Sequence, residues 1–186
     1  MNILTFAATT SRNSINRQLL AHAADLVSEL DAEVAIDTLD LNDFEMPIYS
    51  ADREAEDGVP QAANDFFGRI GAADALIISF AEHNGSFTAA FKNVFDWASR
   101  IDAQVYQSKP TVMLATSPGD RGGAGVLAAA TMTAPFFGCD LRGQLSIPGF
   151  YDAFDQEKGA LASPDAVEEL RGVLKNLLAP AAGDTA

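Results

Sequence analysis

Three short segments concentrate the side chains that could do chemistry. The run Ala8-Thr9-Thr10-Ser11-Arg12-Asn13-Ser14 places four hydroxyls and one guanidinium directly ahead of a helical period. Hydroxyls donate to phosphate oxygens, and a helix start offers unpaired N–H groups at the positive end of its dipole. N-capping by Ser14 would account for one hydroxyl but not for four. Neither G-x-G-x-x-G in this loop nor G-x-x-x-x-G-K-[ST] anywhere in the chain is present, so the loop suits a mononucleotide phosphate better than a pyrophosphate or a triphosphate. The second segment, Ala81-Glu82-His83-Asn84-Gly85-Ser86, bunches carboxylate, imidazole and amide groups. His83 invites a general-base role, yet no nucleophile elbow G-x-S-x-G accompanies it. A lone loop histidine reads as a contact residue. The third, Ser117-Pro118-Gly119-Asp120-Arg121-Gly122-Gly123, carries three glycines that would let a backbone approach a flat ligand; a tight turn without a ligand is the alternative. Metal chemistry lacks a ligand set: there is no HExxH, no Cys/His pair at ligand spacing and no EF-hand loop.

These loops need elements to hold them. Short apolar runs alternate with helical periods. Strands are expected at 2–7, 33–38, 75–80, 111–116 and 140–147, and helices at 14–30, 60–70, 86–99, 122–137 and from Ser163 to about 178. In the last of these, Ser163 takes the N-cap and Pro164 the first helical position. Residues 40–59 read as a long excursion, and His22 as a surface residue of the first helix. Strands joined through helices make a parallel sheet covered on both faces, a doubly wound α/β fold. Ligands of such sheets sit beyond the carboxyl ends of the strands at the switch point, and the three loops follow strands one, three and four. Residues 1–178 form one domain and 179–186 a flexible tail. Phe87, Ala90, Phe91, Val94, Phe95, Trp97 and Ala98 cover more of the 86–99 helix than one core-facing stripe requires. That helix is therefore either deeply buried or self-associating.

The composition narrows the partners. The chain has 186 residues, with 12 Lys+Arg against 26 Asp+Glu and a net charge of -14. That balance argues against nucleic acid and against anionic membrane surfaces. One cysteine, Cys139, excludes an intrachain disulfide framework. No basic n-region with an apolar run opens the chain and no run approaches membrane-spanning length, which points to a cytoplasmic protein. Asp outnumbers Glu 17 to 9 and there are only four lysines, a bias that fits high-salt adaptation or an ordinary acidic protein.

Glu82-His83-Asn84-Gly85-Ser86, followed by Lys92-Asn93 and Asp96-Trp97, resembles the E-Y-N-G-S…K-N…D-W signature of the NAD(P)H-dependent FMN reductase family of flavodoxin-like proteins. Thr116-Ser117-Pro118-Gly119-x-x-Gly122-Gly123 resembles its S-P-G-x-x-G-G loop, and the likeness extends over roughly residues 1–150. The first loop departs from the family's G-S-x-R-x-x-S-x-N pattern: Ala8 and Thr9 stand at its Gly-Ser and Ser11 at its Arg, while Ser14 and Asn16 match. Losing that Arg removes a charge-assisted contact worth about 1.5–3 kcal/mol; Arg12 stands one place on. His83 occupies the family's Tyr position.

The resemblance implies a five-stranded sheet of order 2-1-3-4-5 and non-covalently bound FMN. It implies a phosphate site at Thr9, Ser11, Arg12, Ser14, Ile15 and Asn16. The flavin ring would lie between Glu82, His83, Asn84, Gly85 and Ser86 on one side and Ser117, Pro118, Gly119, Asp120 and Gly122 on the other. It implies hydride transfer from NADPH or NADH to the flavin, then reduction of a small-molecule acceptor such as a quinone, a flavin or an azo compound, in a homodimer or homotetramer. The cofactor carries the hard chemistry, so no catalytic side chain is expected. A flavodoxin-type electron carrier is the alternative, although no glycine lies between Ala7 and Ile15. A flavin-free scaffold is the third reading, disfavoured by the polar richness of all three loops.

Overall fold

A computed structural model describes residues 1–179; the expected tail lies outside the described residues except for Ala179. Five strands, β1 (Asn2–Ala7), β2 (Ala35–Leu39), β3 (Ala75–Phe80), β4 (Pro110–Thr116) and β5 (Asp140–Ile147), form a parallel sheet in the order β2-β1-β3-β4-β5. β3 is Ala-Leu-Ile-Ile-Ser-Phe and every residue is buried, as a strand covered on both faces requires. Alternation along the strands divides the core. Ile3, Ile77 and Leu114 face one side, under α1 (Ile15–Leu30) and α7 (Pro164–Leu178). Leu4, Phe6, Ile78 and Phe80 face the other, under α3 (Gln61–Ala72), α4 (Ala89–Ile101) and α5 (Ala124–Thr133).

The departures from the sequence reading have physical causes. The 40–59 excursion contains a 3-10 turn at Leu41–Phe44 and a helix, α2 (Ala51–Asp57). α2 buries none of its residues, so it has no apolar period to betray it. Its signals are local: Ser50 accepts from the Arg53 N–H at 3.2 Å, acidic residues fill the first turn, and Gly58 ends it at φ +75°. The helix expected from 86 starts at Ala89 because Thr88 is its cap, accepting from the Phe91 N–H at 3.2 Å and donating to the Ala8 carbonyl at 2.8 Å. The helix expected at 122–137 tightens to 3-10 geometry over Ala134–Phe137. Beyond β5 come a four-residue helix, α6 (Phe150–Ala153), and a small antiparallel pair, β6 (Phe154–Asp155) with β7 (Ala160–Leu161). Pro164 begins α7 as expected, but the Ser163 side chain makes no capping hydrogen bond.

His22 is not a surface residue. It is 7% exposed, lies edge-on to Phe154 with ring centroids 6.2 Å apart, and its Nε2 has no partner among the described residues. Burial lowers its pKa below the usual 6.5 against the pull of Asp25 and Glu29, with Arg171 opposing the charged form as well. The folded state thus holds His22 neutral, while the unfolded chain takes up the proton as pH falls below 6.5. The resulting stability is present above that pH and is lost as pH drops through the lower folded value. Urea midpoints measured from about pH 7.5 down to about pH 5.5 should fall, and His22→Leu should flatten the fall. An unchanged slope in that variant would place the acid-sensitive group elsewhere.

Candidate functional site

The three loops meet at the carboxyl edge of β1, β3 and β4, where they wall an open cleft of about 250 Å³. At one end, the chain leaves β1 through buried Thr9, whose hydroxyl accepts from the Ser11 N–H at 3.1 Å. Ser14 caps α1, accepting from the Asn16 N–H at 3.2 Å. The backbone N–H groups of Arg12, Asn13 and Ile15 meet no acceptor among the described residues. Free N–H groups beside a helix start, with serine and threonine hydroxyls around them, form an anion cradle. Neighbours hold this loop in place. Asn42 donates to the Thr10 carbonyl at 3.1 Å, and Arg17 of α1 pairs with Asp40 and holds its carboxyl down at about 2.

The Asn16 side chain is engaged by the protein. It is 2% exposed, and its amide oxygen accepts from the Ser79 hydroxyl at 2.9 Å and the Thr116 N–H at 3.0 Å. Its amide nitrogen donates to the Thr116 carbonyl at 3.1 Å. One side chain therefore ties the start of α1 to the ends of β3 and β4, the three elements that surround the cleft. Asn16 is a positioning residue.

Glu82 is likewise engaged by the protein. α5 begins at Gly123, which has no side chain to cap it, and the Glu82 Oε2 supplies the missing acceptor to the Val126 N–H at 2.8 Å. A carboxylate at a helix start also complements the dipole. Behind it, His83 and Ser86 exchange backbone hydrogen bonds of 3.0 and 3.1 Å around Asn84 at φ +53° and Gly85 at φ +77°. Two successive positive φ values make a type I′ turn, the form that Asn-Gly favours. The segment is thus a miniature hairpin with His83 to Ser86 exposed.

On the opposite wall, the Gly119 carbonyl accepts from the Gly122 and Gly149 N–H groups, both at 3.1 Å, so the loop after β4 is braced by the turn after β5. The Gly119 and Asp120 N–H groups meet no acceptor among the described residues. A Cβ on Gly119 would meet nothing within 4 Å, leaving its backbone open to a ligand. Gly122 differs: it is buried at φ +57°, and a Cβ there would lie 2.5 Å from the Ser146 Oγ and 2.7 Å from the Pro148 nitrogen. Its lack of a side chain serves packing against the end of β5.

Of the residues singled out in the sequence, Thr9, Ser11, Ser14, Ile15, Asn16, Glu82, His83, Ser117 and Pro118 line the cleft. Arg12, Asn84, Gly85, Ser86, Gly119, Asp120 and Gly122 do not. Asn13, Ala81, Thr116 and Tyr151 line it as well, without having been assigned a ligand contact from the sequence. Thr116 and Ala81 continue strands already recognised, whereas Tyr151 comes from α6, which no apolar period announces. A larger hollow of about 340 Å³ lies beyond Thr10, between the 41–46 segment and α4. The Asn93 side chain on its wall is occupied by Tyr49, Met46 and Pro47, and that of Asn42 by Thr10 and Asp40. The cleft keeps its donors free, so it is the stronger site. Cys139 sits at the opposite edge of the sheet, ahead of β5, with burial pushing its thiol up to about 11. No group of His, Cys, Asp and Glu able to hold a metal occurs among the described residues.

These features have counterparts in known proteins. The family described as NADPH-dependent FMN reductase matches residues 1–152. A 2-hydroxy-1,4-benzoquinone reductase from a Burkholderia species is 35% identical over 125 residues, covering 67% of this chain and 64% of that protein. An NAD(P)H-dependent FMN reductase of Pseudomonas aeruginosa is 33% identical over 124 residues, again 67% of this chain and 64% of the relative. The chain thus matches just under two thirds of the length of both. Among solved structures, FerB of Paracoccus denitrificans, a flavoenzyme NAD(P)H:(acceptor) oxidoreductase, superposes with a TM-score of 0.71 at 22% identity, covering 95% of this chain and 94% of that one. That likeness bears on the fold, and it agrees with the strand order. With the family match spanning all five strands and the whole cleft, the chain belongs to the NADPH-dependent FMN reductase family and has its flavodoxin-like fold.

Proposed function

We propose that this chain is an NAD(P)H-dependent, FMN-containing oxidoreductase that passes two electrons as hydride from NADPH or NADH to a small acceptor such as a quinone, a flavin or an azo compound. The observation that carries this is the anion cradle at the start of α1, opening into a cleft whose far walls are exposed loops. The residues fit FMN. Thr9, Ser11 and Ser14, with the free N–H groups beside them, would hold the phosphate, and the Gly119–Asp120 backbone offers donors to negative charge on a flat ring. When bound, FMN supplies hydride acceptance and release. The chain orients it, leaves the cleft mouth open to a second planar molecule, and brings no acid or base to the transfer itself.

Apoprotein titrations should show FMN binding far tighter than riboflavin, which lacks the phosphate. Changing Ser11 and Ser14 together to alanine should weaken FMN by about 1–3 kcal/mol. Anaerobic NADPH or NADH should bleach the bound flavin promptly. A flavin that ignores both nucleotides would favour an electron carrier, and equal affinity for riboflavin would move the phosphate elsewhere.

Residues 1–178 act as one functional unit in this reading, in the cytoplasm; no described helix is long and apolar enough to cross a membrane. The reading includes a homodimer or homotetramer. On α4, Phe91, Val94, Trp97 and Ala98 are buried and Ala90 is partly exposed; Phe95, with Phe87 just ahead of the helix, remains partly exposed beside an apolar hollow of about 260 Å³, and Met132 and Phe136 are 70% and 75% exposed. Light scattering at micromolar concentration should give a multiple of 19.6 kDa; the monomer mass would refute assembly.

A further inference from the structure

We propose that Tyr151 is a further ligand contact, its phenol closing the cleft from the β5 side and donating a hydrogen bond to the FMN phosphate. The inference rests on the FMN reading above and extends it to a residue outside the three loops.

Tyr151 is 62% exposed, while the backbone that carries it is tied down. Its neighbour Phe150 is fully buried and stacks on Phe154 with centroids 4.7 Å apart, and Tyr151 lies edge-on to Phe150 at 5.6 Å. The backbone just before it is bound to the loop after β4: the Gly149 N–H donates to Gly119 at 3.1 Å and the Phe150 N–H to Ser117 at 3.0 Å. Thr116, one residue earlier, is bound to Asn16 of α1. This chain of contacts brings Tyr151 to the cleft that Ser11 and Ser14 also line, and Phe150 beside it packs on the α1 side of the sheet. Its hydroxyl has no partner among the described residues.

The charge around the cleft gives that hydroxyl a task. The cleft lining contains no Lys or Arg; Arg12 is exposed and outside it. Apart from Arg12, which stands exposed between the lining residues Ser11 and Asn13, the donors around a phosphate here are neutral, so each one matters. A phenol is a more acidic donor than an aliphatic hydroxyl, and hydrogen bonds to charged groups are the stronger class. A tyrosine anchored at this wall supplies such a bond without new ordering of the backbone.

The test uses fluorescence titration of the full-length apoprotein with FMN and with riboflavin, comparing wild type, Tyr151→Phe and Tyr151→Ala. Both variants should bind FMN roughly tenfold more weakly, riboflavin affinity should be unchanged in Tyr151→Phe, and the apoprotein melting temperature of Tyr151→Phe should stay at the wild-type value. Unaltered FMN affinity in Tyr151→Phe would overturn the proposal. So would an equal loss for FMN and riboflavin, which would make Tyr151 a contact to the rest of the flavin. Failure of the underlying reading looks different: wild type itself would then show no preference for FMN over riboflavin.

Discussion

Replacing Asn16 with alanine should destabilise the protein by about 3–5 kcal/mol and abolish flavin binding with it. Three hydrogen bonds would be lost together: from the Ser79 hydroxyl, from the Thr116 N–H and to the Thr116 carbonyl. Ser79 is fully buried and Thr116 is 1% exposed, so water does not readily replace the amide. Each stranded partner carries a desolvation penalty of about 1–3 kcal/mol. Aspartate in its place tests the directionality. It could still accept from Ser79 and the Thr116 N–H, but it would set a negative oxygen against the Thr116 carbonyl and should restore only part of the loss. Urea denaturation of the apoproteins gives the comparison. An alanine variant within about 1 kcal/mol of wild type would mean that the apolar contacts of α1 alone position the cleft.

The second large effect is expected at Gly122. Gly122→Ala should destabilise the fold by about 2–4 kcal/mol, combining left-handed strain with overpacking. The added methyl would meet Ser146 Oγ at 2.5 Å and, more seriously, the Pro148 nitrogen and the Ile147 carbonyl carbon at 2.7 and 2.8 Å. A side chain can rotate away; backbone at the end of β5 cannot without moving the turn that braces Gly119. Gly119→Ala is the control, because a Cβ there meets nothing within 4 Å. It should leave folding stability nearly unchanged. Thermal unfolding of both variants decides the matter, and equal melting temperatures would contradict the packing argument.

The same two residues show what was legible in the sequence. Strands such as β1 and β3 were readable because burial on both faces demands an unbroken apolar run, and α1 and α7 because each pairs an apolar period with a start signal. The loops of the cleft stand out by composition and by their place after three neighbouring strands, β1, β3 and β4. What could not be read was the direction each polar group faces. Asn16 and Thr116 are a hundred residues apart in the chain, so nothing local distinguishes an amide that brackets two strands from one that contacts a ligand. The bond from Glu82 to the unguarded start of α5 is equally hidden in the sequence, because the two become adjacent only in three dimensions. His22 differs from its expectation for a related reason: a polar type within a helix suggests solvent, whereas Phe154, distant in the chain, lies edge-on against it and leaves it 7% exposed. Tyr151 stands past the last strand on a four-residue helix, too short for periodicity to show which way it faces.

The hairpin beside the cleft has an evolutionary consequence. Its two backbone bonds close it upon itself, and His83 to Ser86 are exposed, while the flanking residues reach inward: Glu82 to α5, Phe87 against Phe80 and Phe91, and Thr88 at the start of α4. Side chains at 83 and 86 can therefore be exchanged as a cassette, provided that Asn84-Gly85 keeps the turn, without disturbing the bracket that joins the strands. Paralogues of such a chain can diverge in what they accept while retaining how they fold. Positions 83 and 86, with the turn between them held fixed, are the natural place for a directed-evolution library.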